Sequence, residues 1–135
     1  MNRTLSQQRA KFALDKVMSI YNKKDPKLNE DYSNLCLRLP GMILNNGLGQ
    51  TLAFLLADAQ GDRDRASFKL YEQLSEWVIA NRGIYQNSQG KDGLMKALMA
   101  GDRSAYIRAQ TEVLELLGWM KRFSDAYIGR SESQP

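Results

Sequence analysis

Apolar positions along the chain recur at three- and four-residue spacing, the period of helices packed on one side. Over residues 4–22, Ala10, Ala13, Leu14, Val17, Ile20 and Tyr21 fall on one stripe. Asp25 followed by Pro26 stops this helix, because a residue before proline avoids the α region. Tyr32, Leu35, Cys36 and Leu39 give an inward face to a second helix over 29–39. Leu48, Leu52, Leu55, Leu56 and Ala59, widened by Phe54, predict a third over 48–59 that is buried on most sides. Phe68, Tyr71, Leu74, Trp77 and Val78 predict a fourth over 66–81. A short helix over 94–99 follows, closed by Gly101. The last helix starts at Asp102 or Ser104 and reaches about residue 128, with Tyr106, Ala109, Val113, Leu116, Leu117, Met120, Phe123 and Tyr127 inward. The pattern predicts an all-α, compact single-domain bundle of about six helices over 1–129, with a flexible tail over 130–135. Residues 87–93 form the longest loop-like stretch.

The least polar window, 39–57, is interrupted by Pro40, Gly41, Gly47 and Gly49. It reads as two buried helical pieces meeting at a sharp corner. Pro40 suits the first turn of a helix, where its missing N–H costs nothing. Gly47 or Gly49 supplies the positive φ, or the close backbone approach, that the corner needs. Asn46-Gly47-Leu48-Gly49 is not a phosphate loop, since no strand precedes it and its flanks are too apolar.

Composition narrows the chemistry. One domain fits 135 residues, and 43% hydrophobic residues suffice for a core. No stretch approaches the roughly 20 apolar residues of a membrane span, and the N-terminal residues lack the apolar region of a secretory signal. The single Cys36 forms no internal disulfide, which points to a cytoplasmic setting. The chain has no histidine, so Ser-His and Cys-His nucleophiles, a histidine base and histidine metal ligands are all excluded. One cysteine excludes an ordinary structural zinc site. No cofactor, metal or small-molecule substrate is expected.

The net charge of +4 is unevenly placed. Residues 1–24 carry Arg3, Arg9, Lys11, Lys16, Lys23 and Lys24 against Asp15 alone, a net +5. Residues 25–64 carry a net −3 and residues 65–135 a net +2. A basic first helix on a near-neutral body suits a polyanion. Arg9, Lys16 and Lys23 are seven apart and line one flank, with Leu5 and Phe12 on the same flank, away from the core stripe. Such a mixture reads as a contact surface for RNA or protein, or as a solvated face whose apolar members pack on another helix. Lys121 and Arg122 stand beside Trp119 and Phe123, where bases can hold phosphate while a ring stacks. Phe123 is expected inside and the two bases outside. The carboxylate pairs Asp62/Asp64 and Glu112/Glu115 have arginine neighbours, so ion pairs or caps are the ordinary reading; Arg108 and Glu112 are spaced for a pair on one helical face.

Several runs together resemble a known family. Leu39-Pro40 with Met42-Ile43 leads to Asn46-Gly47-Leu48 and Leu52-Ala53-Phe54-Leu55. Tyr71, Leu74 and Trp77 form a Tyr-x-x-Leu-x-x-Trp helix. Tyr106-Ile107-Arg108-Ala109-Gln110-Thr111-Glu112-Val113-Leu114 precedes Leu117-Gly118-Trp119-Met120-Lys121-Arg122-Phe123. In order and spacing these are similar to the small subunit of the type III-B (Cmr) CRISPR ribonucleoprotein effector complex. The resemblance implies a non-catalytic subunit stacked in copies beside a guide RNA–target RNA duplex, with other Cmr subunits as partners and no membrane association. Helical geometry and charge nominate Arg9, Lys16, Lys121 and Arg122 to face the RNA, with Arg3, Lys23 and Arg38 as additions; the family motif itself bears only on Lys121 and Arg122. The alternatives are a helical module that binds only protein and, third, a carboxylate-metal nuclease.

Overall fold

The computed structural model describes residues 2–86 and 93–129. The predicted tail after 129, and most of the predicted 87–93 loop, lie outside them. Six α-helices are present, with no strand among the described residues: α1 (Leu5–Tyr21), α2 (Pro26–Asn46), α3 (Leu48–Ala59), α4 (Ala66–Ser75), α5 (Gly93–Ala100) and α6 (Arg103–Phe123). Wider π-helical turns extend α4 over Glu76–Asn81 and α6 over Ser124–Ile128.

Helix starts are set by side chains written into the sequence. Thr4 caps α1 in a reciprocal pair, its Oγ1 accepting from Gln7 N–H while Gln7 Oε1 accepts from Thr4 N–H. Asp25 caps α2 ahead of Pro26, and Asp102 caps α6 by accepting from Ala105 N–H at 2.8 Å.

α2 departs from the sequence expectation. Pro40 does not open a helix; it lies inside α2, which runs on to Asn46. A proline there removes one helical hydrogen bond. Cys36, Leu39 and Ile43 are nevertheless buried on one inward stripe across it, so packing holds the helix together through the defect. The turn comes instead at Gly47, with φ +87° and ψ 163°, a conformation essentially confined to glycine. Beyond it α3 begins, buried through Leu48, Leu52 and Leu55.

α2 packs against α1, α3, α4 and α6, while α1 lies along α6 and α3 along α4. The stripes of α2, α4 and α6 face this centre largely as expected, with Tyr32, Leu35, Cys36, Leu39, Phe68, Tyr71, Leu74, Trp77 and Val78 all buried. Tyr21 and Tyr127 do not join it; they stand 42% and 48% exposed at the ends of their helices. Tyr32 donates to Gln73 Oε1 at 2.6 Å, so the buried phenol is satisfied.

Candidate nucleic-acid interface

The nominated bases lie mostly on or beside α1 and at the end of α6, and α4 packs next to α1's end of this surface. On α1 the flank is less open than its spacing suggests. Phe12 is buried, with its ring 5.0 Å from that of Trp77. Leu5 packs half-buried against the core. The apolar members of the flank therefore serve α1's own packing.

Arg9 turns inward as well. Its Nη2 donates to Glu112 Oε2 at 2.8 Å and its Nε to Glu112 Oε1 at 3.1 Å, a two-pronged pair. Trp77 Nε1–H donates to the same Oε1 at 3.0 Å, and Arg82 Nε stands 3.6 Å from Oε2. Glu112 is 7% exposed. Burial by itself raises the Glu112 carboxyl, but the hydrogen bonds from Arg9 and Trp77 and the charges of Arg9 and Arg82 outweigh it and hold it below its ordinary value. The same hydrogen bond raises Arg9. Arg9 is thus committed within the fold, and Glu112 faces α1 and the π-turn rather than pairing with Arg108.

The other nominated bases are distributed as follows. Lys16 Nζ is 2.9 Å from Glu76 Oε1 and 5.1 Å from the centre of the Phe12 ring. It shares a groove between α1 and α4 with Lys23, Lys69, Ser19 and Glu72. Lys69 is absent from the sequence nomination; it is a lone base on α4, and only the packing of α4 beside α1 reveals its company. Arg3 is exposed just before α1. Arg122 is exposed and Lys121 half-buried in the last turn of α6, where cations also complement the helix dipole. Among the described residues no carboxylate lies within ion-pair distance of Arg3, Lys23, Lys69, Lys121 or Arg122. Arg38 belongs elsewhere: it lies 5.7 Å from the Phe54 ring, in a groove it shares with Asp31, Asp58, Asp62 and Asp64.

Trp119 stacks on Phe123 at 5.7 Å, and Phe123 lies 6.4 Å from Tyr127. Trp119 and Phe123 are half-buried against the core, so Phe123 is less enclosed than expected. The glycine corner offers no free anion site. Leu48 N–H donates to Gln110 Oε1 at 3.0 Å and Gly49 N–H to Tyr106 Oη at 2.9 Å, so α6 occupies both amides. Among the described residues no group of three metal-ligating side chains occurs, and no helix is long and apolar enough to cross a membrane.

The motif residues thus meet in space. Trp77 touches Glu112, and the corner touches Tyr106 and Gln110. The same combination is found in known proteins. Residues 5–127 match the model of the family described as CRISPR-associated protein (Cas_Cmr5). A Cmr5 subunit of the CRISPR system from Thermotoga maritima is 27% identical, over 98% of this chain and 91% of that protein. A Cmr5 subunit from Thermus thermophilus is 30% identical, over 93% of this chain and 97% of that protein. The crystal structure of a CRISPR-associated Cmr5 family protein from Thermus thermophilus superimposes with a TM-score of 0.71 at 28% identity, covering 93% of this chain and 98% of that one. With a family match spanning nearly the whole helical body, the chain belongs to the Cmr5 family, the small subunits of the type III-B (Cmr) CRISPR complex.

Proposed function

We propose that this chain is a non-catalytic small subunit that lies beside the guide RNA–target RNA duplex of a Cmr complex and helps to hold it in antiviral defence. Its contacts go to phosphates and carry no sequence information; sequence is read by guide–target pairing. Copies of the chain stack in the complex, which calls for two different surfaces on each copy. The separation of a net +5 over residues 1–24 from a net −3 over 25–64 supports such a heterologous contact.

The observation that carries the RNA reading is a group of bases that no carboxylate pairs, Arg3 and Lys23 flanking α1, Lys69 on α4, and Lys121 and Arg122 at the end of α6. Lys16 joins them, because its partner Glu76 is half-exposed and a surface pair of this kind contributes only about 0–1 kcal/mol. A phosphate replaces such a carboxylate at little cost. Arg9 and Arg38 drop out of the set, one held by Glu112 and the other set among aspartates.

The test is retention of target RNA by the assembled complex across a salt series. With Lys23→Glu and Arg122→Glu combined, retention falls several-fold at physiological salt. The slope of log affinity against log salt shrinks by about 1 for each phosphate that a copy no longer holds. Both side chains are exposed, so the isolated variant still folds, its melting lowered only slightly by the acid that replaces Arg122 at the C-terminus of α6. Unchanged retention and slope would remove the RNA role and leave a protein-only one.

A further inference from the structure

A groove of about 550 Å³ opens where α2 begins and α3 ends. Asp25, Asp31, Asp58, Asp62 and Asp64 line it, against Lys27, Arg38 and Arg65. The three bases do not neutralise the aspartates. Lys27 pairs with Asp31 at 3.1 Å, Arg65 with Asp62 at 3.8 Å, and Arg38 leans over Phe54. Asp58 and Asp64 are exposed, and among the described residues no base lies within ion-pair distance of either. Ser67 belongs to the same wall, 1% exposed, and its Oγ has no hydrogen-bond partner among the described residues. A buried hydroxyl without a partner marks a place for an added polar group. Unpaired carboxylates, an aromatic ring and an unsatisfied hydroxyl together suit an arginine head.

A complementary patch lies on the first half of α6. Arg103, Ile107 and Arg108 are all exposed there, Ile107 to 53%. Among the described residues no carboxylate lies within ion-pair distance of either arginine. Arg103 is the first residue of α6, where a cation opposes the helix dipole, so the fold itself has no use for its charge. Arg108 stands one turn before Glu112, but Arg9 and Arg82 hold that carboxylate. Patch and groove lie toward opposite ends of the bundle. Ser33 meets Ser124 at 2.7 Å and Leu48 meets Gln110 at 3.0 Å, so α2 runs antiparallel to α6. The start of α6 is therefore level with the end of α2, about 20 Å from the groove at the start of α2. Within one molecule the two surfaces cannot meet.

We infer that the Arg103–Ile107–Arg108 patch of one copy seats in the Asp58–Asp64 groove of the next, its arginines on the unpaired aspartates and Ile107 against the wall at half-buried Phe54. Two different surfaces toward opposite ends make a heterologous contact that repeats without closing. The acid of the groove repels RNA, and an exposed aliphatic side chain beside two arginines suits a protein contact more than a phosphate. Lys23 and Lys24 are not the donors, because they directly precede Asp25 at the groove's own end. The inference rests on the reading that copies stack, and not on the RNA contacts.

The experiment is sedimentation of the full chain from micromolar to millimolar concentration, at low and at physiological salt. The wild type is expected to grow past a dimer as concentration rises, with association weakened several-fold by the added salt. Asp58→Lys with Asp64→Lys, and separately Arg103→Glu with Arg108→Glu, are each expected to stay monomeric. All four side chains are exposed, so both variants still fold, which melting checks. Mixed in equal amounts, the two variants are expected to associate again, since the reversed patch of one meets the reversed groove of the other. A wild type that stays monomeric, growth that stops at a dimer, variants that associate as the wild type does, or a mixture that stays monomeric would each overturn the inference. So would normal self-association of the arginine variant with loss of RNA retention, which would give the patch to RNA. Normal self-association of the aspartate variant that no longer joins the cognate Cmr subunits would give the groove to another subunit and overturn it too. The copy number in a reconstituted complex separates the two levels of failure. Several copies of either variant would leave stacking standing through another contact, and a single copy of the wild type would remove the stacking itself.

Discussion

Glu112 joins three parts of the chain that are far apart in sequence. One carboxylate holds Arg9 from α1, Trp77 from the π-turn and Arg82 beyond it. Glu112→Ala leaves half-buried Arg9 only the longer contact to the exposed Glu115 at 3.9 Å, and the loss on thermal or urea unfolding should be about 2–3 kcal/mol. The same pair makes stability pH-dependent. Because the folded carboxyl titrates below its ordinary value of 4.5, its contribution is complete above that value and is lost as pH falls through the lower, folded value. A stability profile that stays flat on acidification below pH 4.5, or that matches the Glu112→Gln variant there, would contradict this. Cys36 is the opposite kind of group. Burial pushes its thiol up to about 12, so it stays protonated. It should resist alkylation at pH 8 in the native protein and react only on unfolding; rapid labelling of the native chain would show it to be accessible.

At the scale of elements, glycines separate into those the fold requires and those it does not. Gly47→Ala forces a side chain into φ +87° with ψ 163° and should cost about 1–3 kcal/mol. Gly41→Ala sits in an open helical position and should instead stabilise by about 0.5–1 kcal/mol. Matched denaturation curves of the two variants read the contrast directly, and equal destabilisation by both would contradict the assignment. The sequence showed the corner, since Gly47 interrupts an apolar run, and it showed the stripes of α2, α4 and α6 by their period. It misplaced Pro40, because the cost of a lost helical bond is local whereas the burial of Leu39 and Ile43 that offsets it is not. It also took Arg9 for a surface charge. Spacing places a side chain on a flank, but only the approach of α6, with a partner 103 residues away, reveals that the flank is covered.

For the whole molecule, the resemblance was legible because its motif residues secure the fold. Trp77, Tyr106, Gln110 and Glu112 make the contacts that join α1, α3, α6 and the π-turn. The candidate RNA-facing bases are less legible, since a free lysine leaves no periodic trace. Only the packing of α4 beside α1 brings Lys69 to Lys16 and Lys23. A faithful match to such motifs therefore speaks for the fold and the family more directly than for any RNA contact.

The pairing of the first helix with the last also has a consequence for how the protein is made. The ribosome releases α1 early, but the Glu112 that receives Arg9 follows 103 residues later. At ordinary synthesis rates that interval is on the order of ten seconds. Throughout it, Ala13, Val17 and Ile20 have no α6 to lie against, so the apolar stripe of the nascent N-terminal helix stays uncovered until the last helix is made, within reach of a chaperone.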